Sequence, residues 1–527
     1  MMGQRAYGQS LGHFLAAGRA HAGPREPLRA RVRAVVSALE PAETAASLAA
    51  ASDAALLRHL ELALRPVDPS SIWLALAVLG GRLPHQSEVV AAARQARVDG
   101  PLTALAAALR RGPRPLRGSW QWPDQAGVEI VTDQVLVDLH HTSQVSFATG
   151  IQRVARQTAR RWDDAHHPVL VGWTKGFRNL RRLTAAEARR ALFGPGDQDR
   201  PVPVQSILVP WRCSFVIPEP ATDPPRARAL GALAEYSRSA TATIGYDCVP
   251  VTLAETTDSG VAGGFALNLS AIARMDRVAT ISDSATEEYA GWRAMLAGTG
   301  LPGPDIAPIA LPVEASVPTE HHLREAERLL TVPGLPMVLV VGSHEPRKNH
   351  LAVLHAAELL WRDGVTFTLA FLGGNSWNND RFAERLAQLQ AAGRPVQSFA
   401  GLSDDLLWAA YRLARCTVFP SFNEGFGLPV AESLASGTPV ITSNFGSMRE
   451  IAAAGGALLV DPRDDHAIAA ALRQLLTDDT THARLAAEAE ARPERTWDDY
   501  AAETWHYLVD GARPGVSPGA ETTAHSD

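Results

Sequence analysis

The chain has 527 residues, 46% hydrophobic and 20% charged, with a formal net charge of −6. That length holds two or three globular domains, and the mild acidity gives no reason to expect nucleic acid as a partner. Cys213, Cys248 and Cys416 stand far apart without metal-type spacing, which argues against a disulfide framework or a zinc site.

No apolar run follows a basic start at the N-terminus, and no stretch of ~20 apolar residues occurs, so neither a signal peptide nor a spanning helix is expected. The expected compartment is the cytoplasm, with peripheral membrane contact compatible. Residues 1–125 are rich in Ala, Arg and Leu. Arg29 to Leu39, Ala42 to Leu64 and Ser87 to Leu109 carry helical spacing of apolar residues, and Arg111-Gly112-Pro113-Arg114-Pro115 reads as a linker. This predicts a helical accessory domain without a catalytic motif. It would dock a protein partner or a second copy, or pack on the rest of the chain. Contact with an anionic membrane is a further reading, against which the interspersed acids count.

Gln134 to Leu139 is β-prone, and His140-His141-Thr142-Ser143 follows. Thr149-Gly150-Ile151-Gln152-Arg153-Val154-Ala155 then opens a helix. Gly150 at that start would let backbone approach an anion, whereas Arg153 reads equally as a packed arginine or a ligand-facing one. The two histidines could orient a substrate or be hydrogen-bonded structural residues. As neighbours they point different ways, so they are not expected to share a metal. Asp197-Gln198-Asp199 sits among Gly and Pro and predicts an exposed turn. Thr243 to Val251 and Val278 to Ser284 read as strand ends. Asp247 there is equally a site residue or a turn former.

Met337 to Gly342 is an apolar strand ending in glycine, followed by Ser343-His344-Glu345-Pro346-Arg347-Lys348-Asn349. Phe367 to Gly374 repeats the pattern. Leu406 to Ala414 predicts a helix. Cys416 to Phe419 then reads as a buried strand, and Pro420-Ser421-Phe422-Asn423-Glu424-Gly425-Phe426-Gly427-Leu428 as a turn entering a helix. Pro429 suits the first helical turn, and Gly437 suits the stop. Pro439 to Thr442 starts another strand. A strand–turn–helix–strand unit belongs to a parallel sheet, whose ligands bind at the carboxyl ends of its strands. The helix N-terminus favours an anion, and Gly425 and Gly427 allow close backbone approach. Pro514 to Asp527 has the composition of a disordered tail.

Glu424 and Glu432, eight residues apart with Gly-Phe-Gly-Leu-Pro between them, resemble the signature of the retaining GT-B glycosyltransferases, family 4 in particular. Gly446 to Ile451 and Leu458 to Pro462 resemble its closing segments. The resemblance runs from about Gln134 to Tyr507 and is strongest after Met337. It implies two facing Rossmann-like α/β domains after the helical region: 126–315 for the acceptor, 316–512 for the sugar nucleotide, with a last helix crossing back and a tail at 513–527. It also implies transfer of a hexosyl group, mannosyl as a candidate, from a GDP- or UDP-linked sugar to a glycan or lipid-linked acceptor in polysaccharide or glycoconjugate synthesis.

By the same resemblance, Glu424 holds the sugar and Glu432 the ribose. Lys348 and Arg347 hold the diphosphate with Gly150, Gly425, Phe426, Gly427 and Leu428. Asp247 takes contacts that relatives give to a histidine, because Tyr246 occupies that histidine's place. Ser343 likewise stands where many relatives carry an arginine. Two-aspartate metal binding belongs to the other large glycosyltransferase fold, so neither a metal nor a cofactor beyond the donor substrate is expected. Two other classes stand beside this one. One is an inactive binding or scaffold protein on the same fold, against which the intact Glu424, Lys348 and Glu432 argue. The other is a phosphorylase or epimerase; a phosphorylase needs a cofactor lysine, and Lys175 and Lys348 are the only lysines.

Overall fold

The computed structural model describes residues 25–40, 48, 51–111, 127–145, 150–194, 206–374, 376 and 379–512. Most of the expected linker after Arg111, the Asp197–Asp199 turn, Thr149 and the tail from Pro514 lie outside the described residues.

Helices Arg25–Leu39, Asp53–Ala63, Pro69–Gly80, Gln86–Asp99 and Pro101–Arg111 come first. The segment expected as one helix from Ser87 to Leu109 is two. Gly100, at φ +85°, ends the first, and Pro101 restarts the chain where its missing N–H costs nothing. The helix Pro69–Gly80 was not expected. Asp68 caps it by accepting from Ser71 N at 3.1 Å, and it is buried on all sides. An all-round apolar helix shows no periodicity to read. Its Trp73 and Ala77 belong to one continuous core with Leu136, Leu208, Phe215 and Leu230 of the following sheet and its helices.

That sheet has nine strands: β1 Gly127–Val131, β2 Val135–Asp138, β3 Val169–Trp173, β4 Leu180–Arg182, β5 Ser206–Pro210, β6 Ser214–Ile217, β7 Ala240–Gly245, β8 Arg277–Thr280 and β9 Asp305–Pro308. Their order is β1-β5-β4-β3-β2-β6-β7-β8-β9. Only β4 runs antiparallel to its neighbours. The second sheet comprises β10 Met337–Val341, β11 Thr368–Leu372, β12 Val396–Phe399, β13 Cys416–Phe419, β14 Val440–Ser443 and β15 Ala457–Val460. It is parallel throughout, in the order β12-β11-β10-β13-β14-β15. This is the doubly-wound order of dinucleotide-binding folds, and its strand order reverses between β10 and β13.

The last long helix, Trp497–Leu508, returns to the first sheet's side. Trp162 Nε1 donates to Ala501 O at 2.9 Å, and the His166 and Trp505 rings stack at 3.9 Å. All three cysteines are buried and free. Burial pushes the thiols of Cys213, Cys248 and Cys416 up, Cys213 to about 11. Among the described residues, no helix is long and apolar enough to cross a membrane.

Candidate active site

The reversal between β10 and β13 brings their carboxyl ends together, which is where such sheets bind ligands. Gly342 closes β10 at φ +140°. The short 3-10 turn Pro346–Lys348 follows, and Asn349, at φ +58°, starts the helix His350–Arg362. From the end of β13, the chain passes through Ser421 to Gly427 into the helix Leu428–Ala435. Gly427, at φ +100°, takes the left-handed turn that enters this helix, a conformation costly for any side chain.

The two loops are bonded together. Phe422 N donates to Arg347 O at 2.9 Å, and Ser421 Oγ lies 3.1 Å from the same carbonyl oxygen. Glu424 is the charge centre. Arg347 NH1 lies 2.5 Å from its Oε2, and Lys348 Nζ 3.1 Å from its Oε1. Ser421 Oγ donates to Oε1 at 2.8 Å. Burial pushes the Glu424 carboxyl up, but Arg347 and Lys348 outweigh that and hold it at about 2. Arg347 also pairs with Glu345 at 3.0 Å, and Lys348 lies over the Phe419 ring at 5.0 Å. The structure therefore turns both expected diphosphate cations, Arg347 and Lys348, toward Glu424. Ser343, in the place of the relatives' arginine, bonds its hydroxyl to Glu345.

The facing domain closes the other side. The helix Gly150–His166 starts directly against the helix Leu428–Ala435: a Cβ placed on Gly150 would sit 3.3 Å from Leu428 Cδ1. Two helix N-termini thus converge, each carrying the partial positive charge of its aligned peptide dipoles. Ser282 Oγ donates to Gly425 O at 2.6 Å, and Asn423 Nδ2 to Glu288 Oε1 at 2.7 Å. Glu450 accepts from the N–H groups of Asp283 (3.1 Å) and Ser284 (3.2 Å). Asp247 reaches the same place, since a Cβ on Gly425 would lie 2.9 Å from its Oδ2. Burial, with Glu288 and Glu424 nearby, raises the Asp247 carboxyl to about 6 against the pull of Arg347.

Tyr246 does not offer its hydroxyl to the cleft. It is 6% exposed, and its hydroxyl donates to Pro218 O at 2.7 Å, with Ile151 O at 3.3 Å. Phe426 is 8% exposed and packs in the apolar core behind the turn with Val430 and Met448.

The two histidines diverge. His140 Nδ1 accepts from Trp173 N at 3.2 Å, and burial lowers the ring to about 4, so it stays neutral. His141 Nε2 lies 2.9 Å from Asp223 Oδ2. Beneath them, Asp138 accepts from His140 N, and Glu219 from His141 N and Thr142 N. The fully buried Arg226 bridges both acids at 3.0 and 3.2 Å. Paired charges and backbone donors are what keep such buried acids tolerable.

Glu432 is the residue whose surroundings are least legible in sequence. It is 4% exposed, with Oε1 2.5 Å from Arg153 NH1 and Oε2 accepting from Tyr411 OH at 2.9 Å. Among the described residues, no group of three or more His, Cys, Asp or Glu side chains is placed to hold a metal ion.

Residues 324–492 match the model of the family described as glycosyl transferases group 1. Along 343 residues, 62% of this chain and 40% of the relative, the chain is 28% identical to the serotype-specific mannosyltransferase WbdA of Escherichia coli. It is 33% identical to the O-antigen chain mannosyltransferase B of E. coli over 168 residues, 32% of this chain and 44% of that one. The chain thus spans about two fifths of the curated relatives it matches. Among solved structures, Anabaena HepE in complex with UDP and glucose superposes with a TM-score of 0.52 at 13% identity, covering 71% of this chain and 99% of that one. The fold is GT-B: two facing Rossmann-like domains, here preceded by a helical region.

Proposed function

We propose that this chain is a glycosyltransferase that moves a hexosyl group from a nucleoside diphosphate sugar to an acceptor hydroxyl. The observation that carries this reading is the convergence of two helix N-termini, at Gly150 and Leu428, beside Arg347, Lys348 and Glu424. A diphosphate leaving group gains charge as the glycosidic bond breaks. Fixed N–H groups and cations stabilise that charge more in the transition state than in the ground state. In this reading 316–512 holds the donor, 126–315 the acceptor, Glu432 the ribose diol and Glu424 the sugar hydroxyls.

With the donor bound, Lys348 and Arg347 share their donors between Glu424 and the diphosphate, so no metal is required. Nucleophilic attack by Glu424 is disfavoured, because two cations and Ser421 already engage its oxygens. Retention by a same-face route, with the leaving phosphate taking the acceptor proton, is the mechanism we favour. The similarity to E. coli mannosyltransferases makes mannose the sugar to try first, from a GDP- or UDP-linked donor. The acceptor would be a glycan or lipid-linked precursor at the cytoplasmic face.

Glu424→Ala and Lys348→Ala should each lower transfer by about 100-fold or more while preserving the melting transition. The measurement is release of nucleoside diphosphate from GDP-mannose and a panel of UDP- and ADP-sugars. Turnover near that of the wild type in either folded variant would remove the assignment. Release of sugar phosphate instead would favour a phosphorylase, and no turnover with any sugar nucleotide would favour a binding protein.

A further inference from the structure

Glu432 belongs to the donor-side domain, and one of its two partners does not. Tyr411, on the helix Asp404–Leu413 of the same domain, donates to Oε2. Arg153, on the first turn of the helix Gly150–His166, crosses the cleft to Oε1. Among the described residues, Arg153 is the one guanidinium paired with this carboxylate, and it is supplied by the other domain. Burial, the largest effect, and Asp404 push the Glu432 carboxyl up by more than Arg153 and Tyr411 push it down, so it lies above the ordinary carboxylate range even with Arg153 in contact. An ionised carboxylate is acceptor-only on both oxygens, whereas a protonated one turns one oxygen into a donor and keeps a weaker, smaller acceptor capacity. A buried acid that loses its cation shifts toward the neutral form.

We propose that Arg153 is a positioning residue that makes the grip of Glu432 on the donor ribose conditional on contact between the two domains. The inference rests on the reading of Glu432 given above. With the domains joined, Arg153 offsets part of the cost of charge on Glu432 and fixes one oxygen, while Tyr411 orients the other. The remaining lone pairs face the ribose hydroxyls. When the domains part, Arg153 leaves with its helix, and Glu432 keeps Tyr411 alone. A nucleotide then meets a weaker acceptor, so full ribose recognition is reached only in the arrangement where Gly150 also reaches the diphosphate site.

The test is calorimetric binding of GDP, UDP and ADP, each beside its 2′-deoxy form, to the full chain. For at least one base, wild-type protein should prefer the ribonucleotide by about tenfold. In Arg153→Gln that preference should shrink to about twofold while affinity for the 2′-deoxynucleotide holds, and Arg153→Lys should restore part of it. In a Glu432→Gln background, Arg153→Gln should change nothing further. Three outcomes overturn the inference alone: a preference that survives Arg153→Gln, equal loss of both nucleotides, or tighter ribonucleotide binding in the variant, which would make Arg153 a competitor. No wild-type preference overturns the ribose assignment of Glu432 and this inference with it. Failure of wild-type protein to bind any of the three diphosphates overturns the sugar-nucleotide reading, and this inference with it.

Discussion

Gly425 shows how little room one residue leaves. A Cβ there would lie 2.5 Å from Tyr246 O and 2.9 Å from Asp247 Oδ2, closer than real Cβ contacts, and its carbonyl is already held by Ser282. Gly425→Ala should therefore push the signature turn away from the facing domain and cut turnover by about 100-fold, in line with the effect of ångström-scale misplacement. Steady-state kinetics beside a melting curve measures it. Asp247 carries a pH signature. Its folded-state value of about 6 lies above the ordinary 3.8, so the native state binds the proton more tightly than the unfolded chain. That stabilisation is full below pH 4 and is lost as pH rises through 6, an effect on the order of 1–3 kcal/mol. Asp247→Asn should flatten the pH 4–6 portion of the stability profile and raise the melting temperature at pH 7, as read by thermal melts across pH. Glu424, Lys348 and Arg347 were legible in sequence because their loops follow recognisable strands. The Arg153–Glu432 contact was not, because its partners stand 279 residues apart and no local period links them.

At the scale of elements, the centre of the second sheet was readable because β10, β11 and β13 are apolar runs closed by Gly342, Gly373 and Pro420, whereas β12, Val396-Gln397-Ser398-Phe399, carries no such run and was not read. The helix Pro69–Gly80 was not readable either, for its sequence alternates nothing. Trp73 on that helix is fully buried, so Trp73→Ala should cost about 3–5 kcal/mol, measurable by urea denaturation. Because this helix shares its core with Leu136 and Phe215, the helical region and the first sheet should unfold in one calorimetric transition. A chain that begins at residue 126 would expose the apolar side of that core and should aggregate.

For the whole molecule, the second point of joining is the returning helix. Trp505 stacks on His166 and meets Trp162 edge-on at 5.6 Å, which anchors the end of the chain to the first sheet's layer. Trp505→Ala should lower the melting temperature by several degrees and widen the distribution of domain separations seen by small-angle scattering. The architecture of facing domains followed from the signature segments. Which residues meet across the cleft depended on the register of two helices packed end to end, and that is fixed by tertiary packing. That cleft can be measured directly, because the protein brings no reactive thiol of its own: Cys213, Cys248 and Cys416 are buried, with thiols that resist ionisation. A single cysteine introduced on each domain, for instance at the exposed Met295 and Leu459, would take fluorophores against a silent background. The wild-type sequence is in this sense already a spectroscopic ruler awaiting its two marks.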